Sequence, residues 1–326
     1  MKKQFLVPVL LAAGLAVEGA QAGALAVDPD VFDYGGNATL DTTYGYAFTV
    51  AAGSAYTITA LGVFDETNRS GDGLSDSHPV GLWNGTGSTL LASVTVPSGT
   101  TGSTVVPSGA TFFAFPQGQW RFVDFATPVV LTEGTYLIGG FYPGRGSDEY
   151  FARATGNLGT VNTLSGITVT QGKVANGSAF SPPTTNSGDG YFGPSFLVEQ
   201  AIVNPDLTVA VSGQSTSTTA VPEGPAGVFS FTARYCNRAT SPTLEALVSR
   251  TRVLTNGNSL VNRDRDGTGT PAGGVGSELD FPLDPDYDDG LLAAGDCVDV
   301  LYEIGLAQRT RFSFNVDLLG VDGSAP

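Results

Sequence analysis

The chain has 326 residues and a formal net charge of −16, because 31 acidic residues outnumber 15 basic ones. Nucleic-acid binding requires many phosphate-neutralising Lys and Arg side chains, so this charge balance excludes it. Only 14% of the residues are charged and 41% are hydrophobic, which is typical of a folded chain and not of a disordered one. The richness in Gly, Ser, Thr, Val and Phe argues against a helical bundle or a coiled coil.

The first residues have the pattern of a secretory signal peptide. Lys2 and Lys3 precede an apolar run over residues 5–17, and residues 20–22 form an A-x-A cleavage motif. The alternative is a short membrane anchor, but a bilayer span needs about 20 apolar residues and this run is shorter and interrupted. We therefore predict a cleaved signal peptide over residues 1–22 and no transmembrane segment in the mature chain. The mature protein is expected in the periplasm, on the cell surface or outside the cell.

Short runs of alternating apolar and polar residues follow, rich in aromatic and β-branched side chains. Clusters of Gly, Asn, Asp and Ser separate them, and no later segment keeps a helical period. A break at residues 204–206 (NPD) divides the chain. We predict two antiparallel β-sandwich domains, jelly-roll or immunoglobulin-like, over residues 23–200 and 204–321. The clearest predicted strands are 45–50, 56–61, 80–83, 90–96, 120–125, 136–142, 167–169, 207–211, 228–236, 244–253, 297–304 and 312–318.

Cys236 and Cys297 are the only two cysteines. An even number of cysteines in an exported chain is typical of a disulfide, although two free thiols are the alternative. Both cysteines lie opposite the apolar face of their predicted strands. This phase favours a bridge between strands on an outer face over a bridge through the core.

His78 is the only histidine, so a Ser-His-Asp triad or any other histidine-dependent site would have to use it. One histidine does not supply a multi-histidine metal site, and no Gly-x-Ser-x-Gly motif follows a strand. We favour a structural role in which the ring hydrogen-bonds loop carbonyls and orients the loop over residues 65–76. Loss of a hydrolytic activity in His78→Ala would contradict that role.

Residues 262–267 (NRDRDG) place oxygen donors at alternate positions before a glycine, as in the first half of an EF-hand calcium loop. The match fails at the twelfth position, where Gly273 replaces the bidentate Glu. Residues 284–290 (DPDYDDG) form a second acidic cluster that could complete a cation site. Asx-turn chemistry explains the same residues equally well. The candidate calcium ligands are Asn262, Asp264, Asp266, Asp286 and Asp288.

Aromatic residues are dense between positions 112 and 151, and most of them are expected in the core. Four lie near loops and could form a sugar-stacking platform, namely Trp120, Tyr142, Tyr150 and Phe151, of which the first three are the main candidates. Glycoside hydrolysis would need two carboxylates about 5 to 10 Å apart across a cleft, a distance that the sequence does not define. Carboxylates in Gly-rich turns are more typical of solvated faces.

The first half of the chain resembles an uncharacterised domain of bacterial exported proteins. The resemblance is carried by residues 45–50 (GYAFTV), 59–65 (TALGVFD), 73–83 (GLSDSHPVGLW), 90–96 (LLASVTV), 131–138 (LTEGTYLI) and 191–194 (YFGP). That domain often occurs in surface-associated chains, some of which carry a Pro-Glu-Pro sorting tail. The family commonly has Trp where this chain has Tyr46, and no sorting tail is expected after residue 312. The resemblance implies a β-sandwich without an assigned activity.

The second half resembles the adhesion-related immunoglobulin-like modules of exported bacterial proteins. Residues 204–209 (NPDLTV), 235–240 (YCNRAT) and 292–296 (LAAGD) match the opening, the second-strand turn and the late turn of that pattern. Residues 256–289 depart from it.

These observations predict a secreted or cell-surface protein of structural or adhesion type that is not an enzyme. Calcium is the only candidate cofactor. The expected partners are an extracellular glycan, a surface protein or a second copy of the chain. The alternatives are an extracellular carbohydrate-binding module and a glycan-active hydrolase that uses Asp264 or Asp286.

Overall fold

The computed structural model describes residues 23–66, 73–108, 111–112, 115–116, 118–144, 146, 148–266, 272–287 and 290–323. The predicted signal peptide, residues 1–22, lies outside these residues. The described residues form 26 β-strands and two short 3-10 helices, Thr155–Thr160 and Asn204–Asp206, with no α-helix. Their strand pairs are antiparallel apart from one short parallel pair. The expected all-β, antiparallel fold class is confirmed, and the sheets form two groups.

The chain divides into two compact units, formed by the described residues 23–199 and 200–323. The strands of the first unit are β1 (Gly23–Leu25), β2 (Val27–Asp28), β3 (Val31–Phe32), β4 (Tyr34–Asn37), β5 (Thr42–Glu66), β6 (His78–Asn84), β7 (Leu90–Val96), β8 (Thr104–Pro107), β9 (Thr111–Phe112), β10 (Phe115–Pro116), β11 (Gly118–Tyr142), β12 (Glu149–Arg153), β13 (Asn162–Thr163), β14 (Ile167–Asn176), β15 (Thr185–Asn186), β16 (Gly190–Tyr191) and β17 (Pro194–Glu199). The strands of the second unit are β18 (Ala201–Ile202), β19 (Leu207–Ser217), β20 (Val228–Asn237), β21 (Leu244–Leu254), β22 (Ser259–Leu260), β23 (Glu278–Asp280), β24 (Leu291–Leu292), β25 (Cys297–Gly305) and β26 (Phe314–Asp322).

Two long strands, β5 and β11, form the centre of the first unit. The main sheet has the order β1-β17-β5-β11-β6-β7, with β14 also paired to β5 and β8 to β11. Each long strand spans two predicted strands, 45–50 and 56–61 in β5, and 120–125 and 136–142 in β11. The pairing of β5 with β11 is irregular at two places, where each strand bends and then continues. Gly53 lies in one of these irregular stretches with φ +82°, a left-handed value that glycine adopts without steric cost.

A smaller sheet of the first unit, β16-β12-β4, positions the side chains discussed below. Side chains alternate between the faces of a strand, so Phe151 of β12 points to the opposite face from Tyr150 and Ala152. Phe151 is buried, and its ring packs against Phe32 and Phe64 with centroid distances of 4.8 and 5.2 Å. The core thus fixes one face of this sheet in place.

The second unit contains two packed sheets, with strand orders β18-β26-β21-β23 and β19-β20-β25-β22. Phe231 and Tyr302 from one sheet and Leu247 and Leu318 from the other belong to a single buried cluster, as expected for a β-sandwich. Three hydroxyl groups connect the two sheets inside this core. Tyr302 Oη donates to Ser249 Oγ at 2.7 Å, and it lies 3.0 Å from Tyr235 Oη.

The predicted disulfide is present. Cys236 of β20 and Cys297 of β25 are directly opposite in neighbouring strands, and their sulfur atoms are bonded. Both residues are half-buried, on the opposite face from the core residues Tyr235 and Val298. The bridge therefore joins two strands of one sheet on its outer face, which confirms the phase argument from the sequence.

Candidate functional site

Four half-buried tyrosines from four strands form one contiguous cluster in the first unit. We call Tyr34, Tyr44, Tyr150 and Tyr191 the tyrosine surface. The ring of Tyr44 lies at the centre, with centroids 4.3 Å from Tyr150 and 4.6 Å from Tyr191, and the rings of Tyr150 and Tyr191 are 5.6 Å apart. Tyr34 donates a hydrogen bond from Oη to Asp189 at 2.5 Å.

The pairing of β4, β12 and β16 explains why these rings meet. Ala152 of β12 pairs with Tyr34 on one side and with Tyr191 on the other, and Tyr150 pairs with Gly36. Directly paired residues and their i±2 neighbours share a face of an antiparallel sheet. Three tyrosines therefore lie on one face, beside two small residues that leave room around the rings. Tyr44 comes from the main sheet and covers the same face.

Burial raises the pKa of three phenols of the tyrosine surface, those of Tyr34, Tyr44 and Tyr150. The neighbouring Tyr150 raises the pKa of Tyr44 further. The nearby Tyr191 and Glu149 likewise add to the rise for Tyr150. These three phenols are consequently uncharged at physiological pH.

Tyr142 supports this surface from the interior. Its ring is buried and lies 5.8 Å from Tyr44 and 4.7 Å from His78, measured between centroids. A Cβ added at Gly193 would lie 2.1 Å from the Tyr142 hydroxyl, so the chain passes close to this ring only because that residue is glycine. The hydroxyl has no hydrogen-bond partner among the described residues, and burial raises its pKa.

His78 is buried and is hydrogen-bonded at both ring nitrogens. Nδ1 lies 2.9 Å from the carbonyl oxygen of Phe141, and Nε2 lies 2.9 Å from the carboxylate of Asp148. Both partners are hydrogen-bond acceptors, and together they hold the ring in one orientation. Asp148 also accepts the backbone N–H groups of Ser75 and Asp76 at 2.8 and 2.7 Å. His78 therefore acts on the preceding loop through Asp148, and only one of its two bonds is to a carbonyl.

The structure corrects part of the predicted sugar-stacking platform. Trp120 is 0% exposed, its indole N–H donates to Asp28 at 3.0 Å, and its ring packs on Phe64. Tyr142 is 2% exposed. Neither ring is accessible to a ligand, because the long strand β11 carries both of them into the core. Phe151 is buried as well, so Tyr150 alone of the four lies on the surface, and its neighbours there come from distant parts of the sequence.

The described calcium candidates of residues 262–266 are engaged within the protein. The Asn262 side chain donates to the carbonyl of Leu301 and accepts the backbone N–H of Glu303. Asp264 accepts the backbone N–H of Asp280 at 2.7 Å. Each oxygen donor thus fixes a neighbouring strand or loop.

Arginines neutralise the carboxylates of the same segment. Arg263 is hydrogen-bonded to both Glu223 and Asp266, and it lowers the pKa of Asp266. Arg265 pairs in the same way with Glu278 and Asp280. A cleft of about 420 Å³ lies beside Arg263, lined also by Val221, Pro222, Glu223, Val261, Asp264 and Asp266. Its polar wall consists of these ion pairs.

The described residues of the second acidic cluster form a turn of their own. The backbone N–H of Asp286 lies 3.4 Å from the Asp284 carboxylate, which is Asx-turn geometry. Asp288 lies outside the described residues. In the ranges that the structure describes, no three His, Cys, Asp or Glu side chains gather as a metal site would require. The predicted calcium site therefore receives no support from the ligands that are placed.

Comparison with known protein families and with curated proteins finds no match to this chain. Within the described ranges, no helix has the length and apolar character that a bilayer crossing requires.

Proposed function

We propose that this protein acts after export as a non-catalytic, adhesion-type binding protein, and that the tyrosine surface makes the contact. The observation that carries the proposal is the half-buried cluster of Tyr34, Tyr44, Tyr150 and Tyr191 on one face of the first unit. Large rigid rings with a polar tip provide contact area at a low cost in conformational entropy, and tyrosine is accordingly enriched at binding surfaces.

The scaffold supports a role in contact. Strands on a fixed sheet hold a surface more precisely than mobile loops do, and here the core fixes the opposite face of β12 through Phe151. The disulfide between Cys236 and Cys297 favours an oxidising compartment, where such bonds persist. Export also agrees with the signal-peptide pattern of residues 1–22 and with the resemblance of the first half to surface-associated chains.

The chemistry of the charged groups favours the same conclusion. His78, the only histidine, is buried and bonded at both nitrogens. The carboxylates of residues 264–266 bond to backbone N–H groups and to arginine. The imidazole and these carboxylates therefore stabilise the fold, which favours a role without catalysis.

The proposal is tested by locating the protein and measuring its contact with the cell surface. Fractionation and N-terminal sequencing of the native protein should give a chain that begins at Gly23, outside the cytoplasm. The purified chain, carrying a C-terminal fluorescent tag, should bind to the outer surface of the source cells or to their extracellular material. Cytoplasmic retention, or no binding to either material, would contradict the proposal.

The variant Tyr150→Ala should reduce this binding, whereas Tyr136→Ala should not. Tyr136 is another half-buried tyrosine, whose hydroxyl bonds to Thr132 and whose ring packs on Phe48, outside the tyrosine surface. Equal loss in both variants would indicate a general effect of removing a ring from the first unit and would assign the contact to another surface.

A further inference from the structure

Three rings of the tyrosine surface, those of Tyr44, Tyr150 and Tyr191, are packed directly against one another. Their centroids are 4.3 to 5.6 Å apart, and Tyr44 and Tyr150 are stacked with an interplanar angle of 28°. An aromatic cage for an ammonium group needs a gap between rings, so that the cation lies over several faces at once. The spacing here leaves no such gap. A ligand must therefore lie against the outer side of the cluster.

The pairing of Tyr150 with Gly36 determines where the outer side is accessible. One face of the Tyr150 ring is stacked on Tyr44, and Tyr191 meets it edge-on. At the cross-strand position, an added Cβ of Gly36 would lie 3.7 Å from the Tyr150 hydroxyl. A side chain at position 36 would thus contact the hydroxyl end of this ring. Glycine leaves that end uncovered on the side of β4.

The charges around the rings select against anions. Tyr34 bonds to the carboxylate of Asp189 beside the rings, whereas the Glu149 carboxylate lies on the opposite face of β12, near Gly35 and Phe151. The chain as a whole has a net charge of −16. A sulfated or phosphorylated ligand would be repelled. Carboxylate oxygens accept several hydrogen bonds, and a ligand rich in hydroxyl groups supplies the donors.

A flat ligand that has C–H groups on one side and hydroxyl groups around its rim is a sugar ring. The C–H groups are weakly positive and meet the negative face of an aromatic ring, while the hydroxyl groups reach the Asp189 carboxylate beside the rings. We infer that the tyrosine surface is a binding site for a neutral carbohydrate, which stacks on Tyr150 and Tyr191 and hydrogen-bonds to Asp189. This inference rests on the proposed binding function and names its ligand class.

The site is organised before the ligand arrives. Tyr44 rests on the buried Tyr142, and Tyr142 rests on His78, which Asp148 and the Phe141 carbonyl hold at both nitrogens. Rings held in this way lose little freedom on binding, so more of the contact energy appears as affinity.

The experiment is a calorimetric titration of the purified mature chain with cellohexaose, xylohexaose and mannohexaose, together with pull-down on insoluble cellulose, xylan and mannan. At least one of these neutral glycans should bind. Tyr150→Ala should weaken that binding by about tenfold or more, as removal of a central aromatic contact does. Tyr150→Phe keeps the ring and should retain most of the affinity. Tyr136→Ala is the matched control and should bind like the wild type.

If Tyr150→Ala fails to fold, as judged by circular dichroism, Tyr191→Ala provides the same test on the partner strand β16. Binding of benzyltrimethylammonium with no glycan binding would overturn the inference in favour of a cation site. Attachment to the cell surface that depends on Tyr150 but is not competed by any of the glycans would overturn the carbohydrate assignment and leave the binding function intact. Absence of export and of surface attachment would instead contradict the proposed function itself.

Discussion

Two aspartates of the first unit occupy opposite electrostatic environments. Asp28 is half-buried, and one of its carboxylate oxygens accepts hydrogen bonds from the Trp120 indole and from the Ser108 hydroxyl, both at 3.0 Å. Burial is the largest influence on this carboxyl and raises its pKa to about 6. Burial also raises the pKa of Asp148, but the hydrogen bonds from His78, Ser75 and Asp76 outweigh it and the net shift is downward. The fold favours protonated Asp28 and ionised Asp148.

Asp28→Asn should stabilise the protein at neutral and alkaline pH. The raised pKa means that Asp28 contributes stability below about pH 4 and loses it as the pH rises through about 6. Asparagine keeps the acceptor oxygen without the charge. The gain should be roughly 1 to 3 kcal/mol in the free energy of unfolding at pH 8 and should shrink towards zero at pH 4. Urea unfolding at pH 4, 6 and 8 measures it, and a difference that does not grow with pH would contradict the explanation.

Asp148→Asn should have the opposite effect. A lowered pKa means that the carboxylate contributes stability above its unfolded pKa and loses it as the pH falls through the folded value. The variant should lose roughly 1 to 3 kcal/mol at pH 7, because the charge-assisted bonds to His78 and two backbone N–H groups are weakened. The deficit should decrease in acid, where the wild type is protonated as well. Asp28→Asn, with the reverse profile, is the matched control, and parallel profiles would show that neither assignment is correct.

At the scale of single elements, the sequence predicts the strands whose two faces differ in polarity. Strand β7 coincides with the predicted run 90–96, and β20, β21 and β25 differ from their predictions by one residue at one end. The alternation of apolar and polar residues in β20 and β25 also predicts that both cysteines lie on the outer face of their sheet. The breaks predicted within β5 and β11 are wrong, because glycine and polar residues that are typical of turns also occur in bulges. The local sequence does not distinguish a turn, which ends a strand, from a bulge, after which the strand continues beside its neighbour.

The tyrosine surface could not be predicted, because it depends on register between distant strands. Tyr44 and Tyr191 are separated by almost the whole first unit, and they meet only because β12 pairs with β16 and lies under β5. The same applies to Asp148, which reaches His78 across 70 residues. The predicted surface position of Trp120 is wrong for a related reason. The residue lies near a predicted loop, and the sequence does not indicate that its buried indole N–H donates to the distant Asp28.

The hydroxyl chain between the sheets of the second unit permits a sharp comparison of two conservative variants. Tyr302→Phe breaks its bond to Ser249 and its contact with Tyr235, and leaves both hydroxyl groups buried. Tyr235→Phe breaks only the second contact. The first variant should therefore cost roughly 1 to 3 kcal/mol in the free energy of unfolding, and the second should cost less.

The double variant provides the check on this account. Because both single changes remove the Tyr235–Tyr302 contact, their costs should sum to more than the cost of the double variant, as expected for residues that share one interaction. Chemical denaturation of the four proteins gives the coupling directly. Strict additivity, or a larger effect from Tyr235→Phe, would show that the two sheets are not joined through Tyr302.

At the scale of the whole molecule, net charge opposes self-association. The chain has a net charge of −16 and a calculated isoelectric point of about 4.2. Strand β19 is an edge of its sheet within the described part of the chain, and its sequence LTVAVSGQSTS contains no lysine, arginine or proline. Such residues commonly protect an edge against pairing with another chain. Repulsion between copies adds to the protection from the pairing irregularity between Ser212 and Ser215, and it disappears at the isoelectric point.

The protein should therefore remain monodisperse at pH 7 and associate near pH 4.2, through β19. Ser212→Lys places a charge on this edge and should reduce the association, because a lysine must be desolvated or displaced when another strand pairs there. Leu283→Lys changes the net charge equally, at a site that is 73% exposed and outside the strands, and should associate like the wild type. Light scattering across pH 3.5 to 7 distinguishes the three proteins. Equal scattering from both lysine variants would show that net charge controls the association and that the edge of β19 does not contribute.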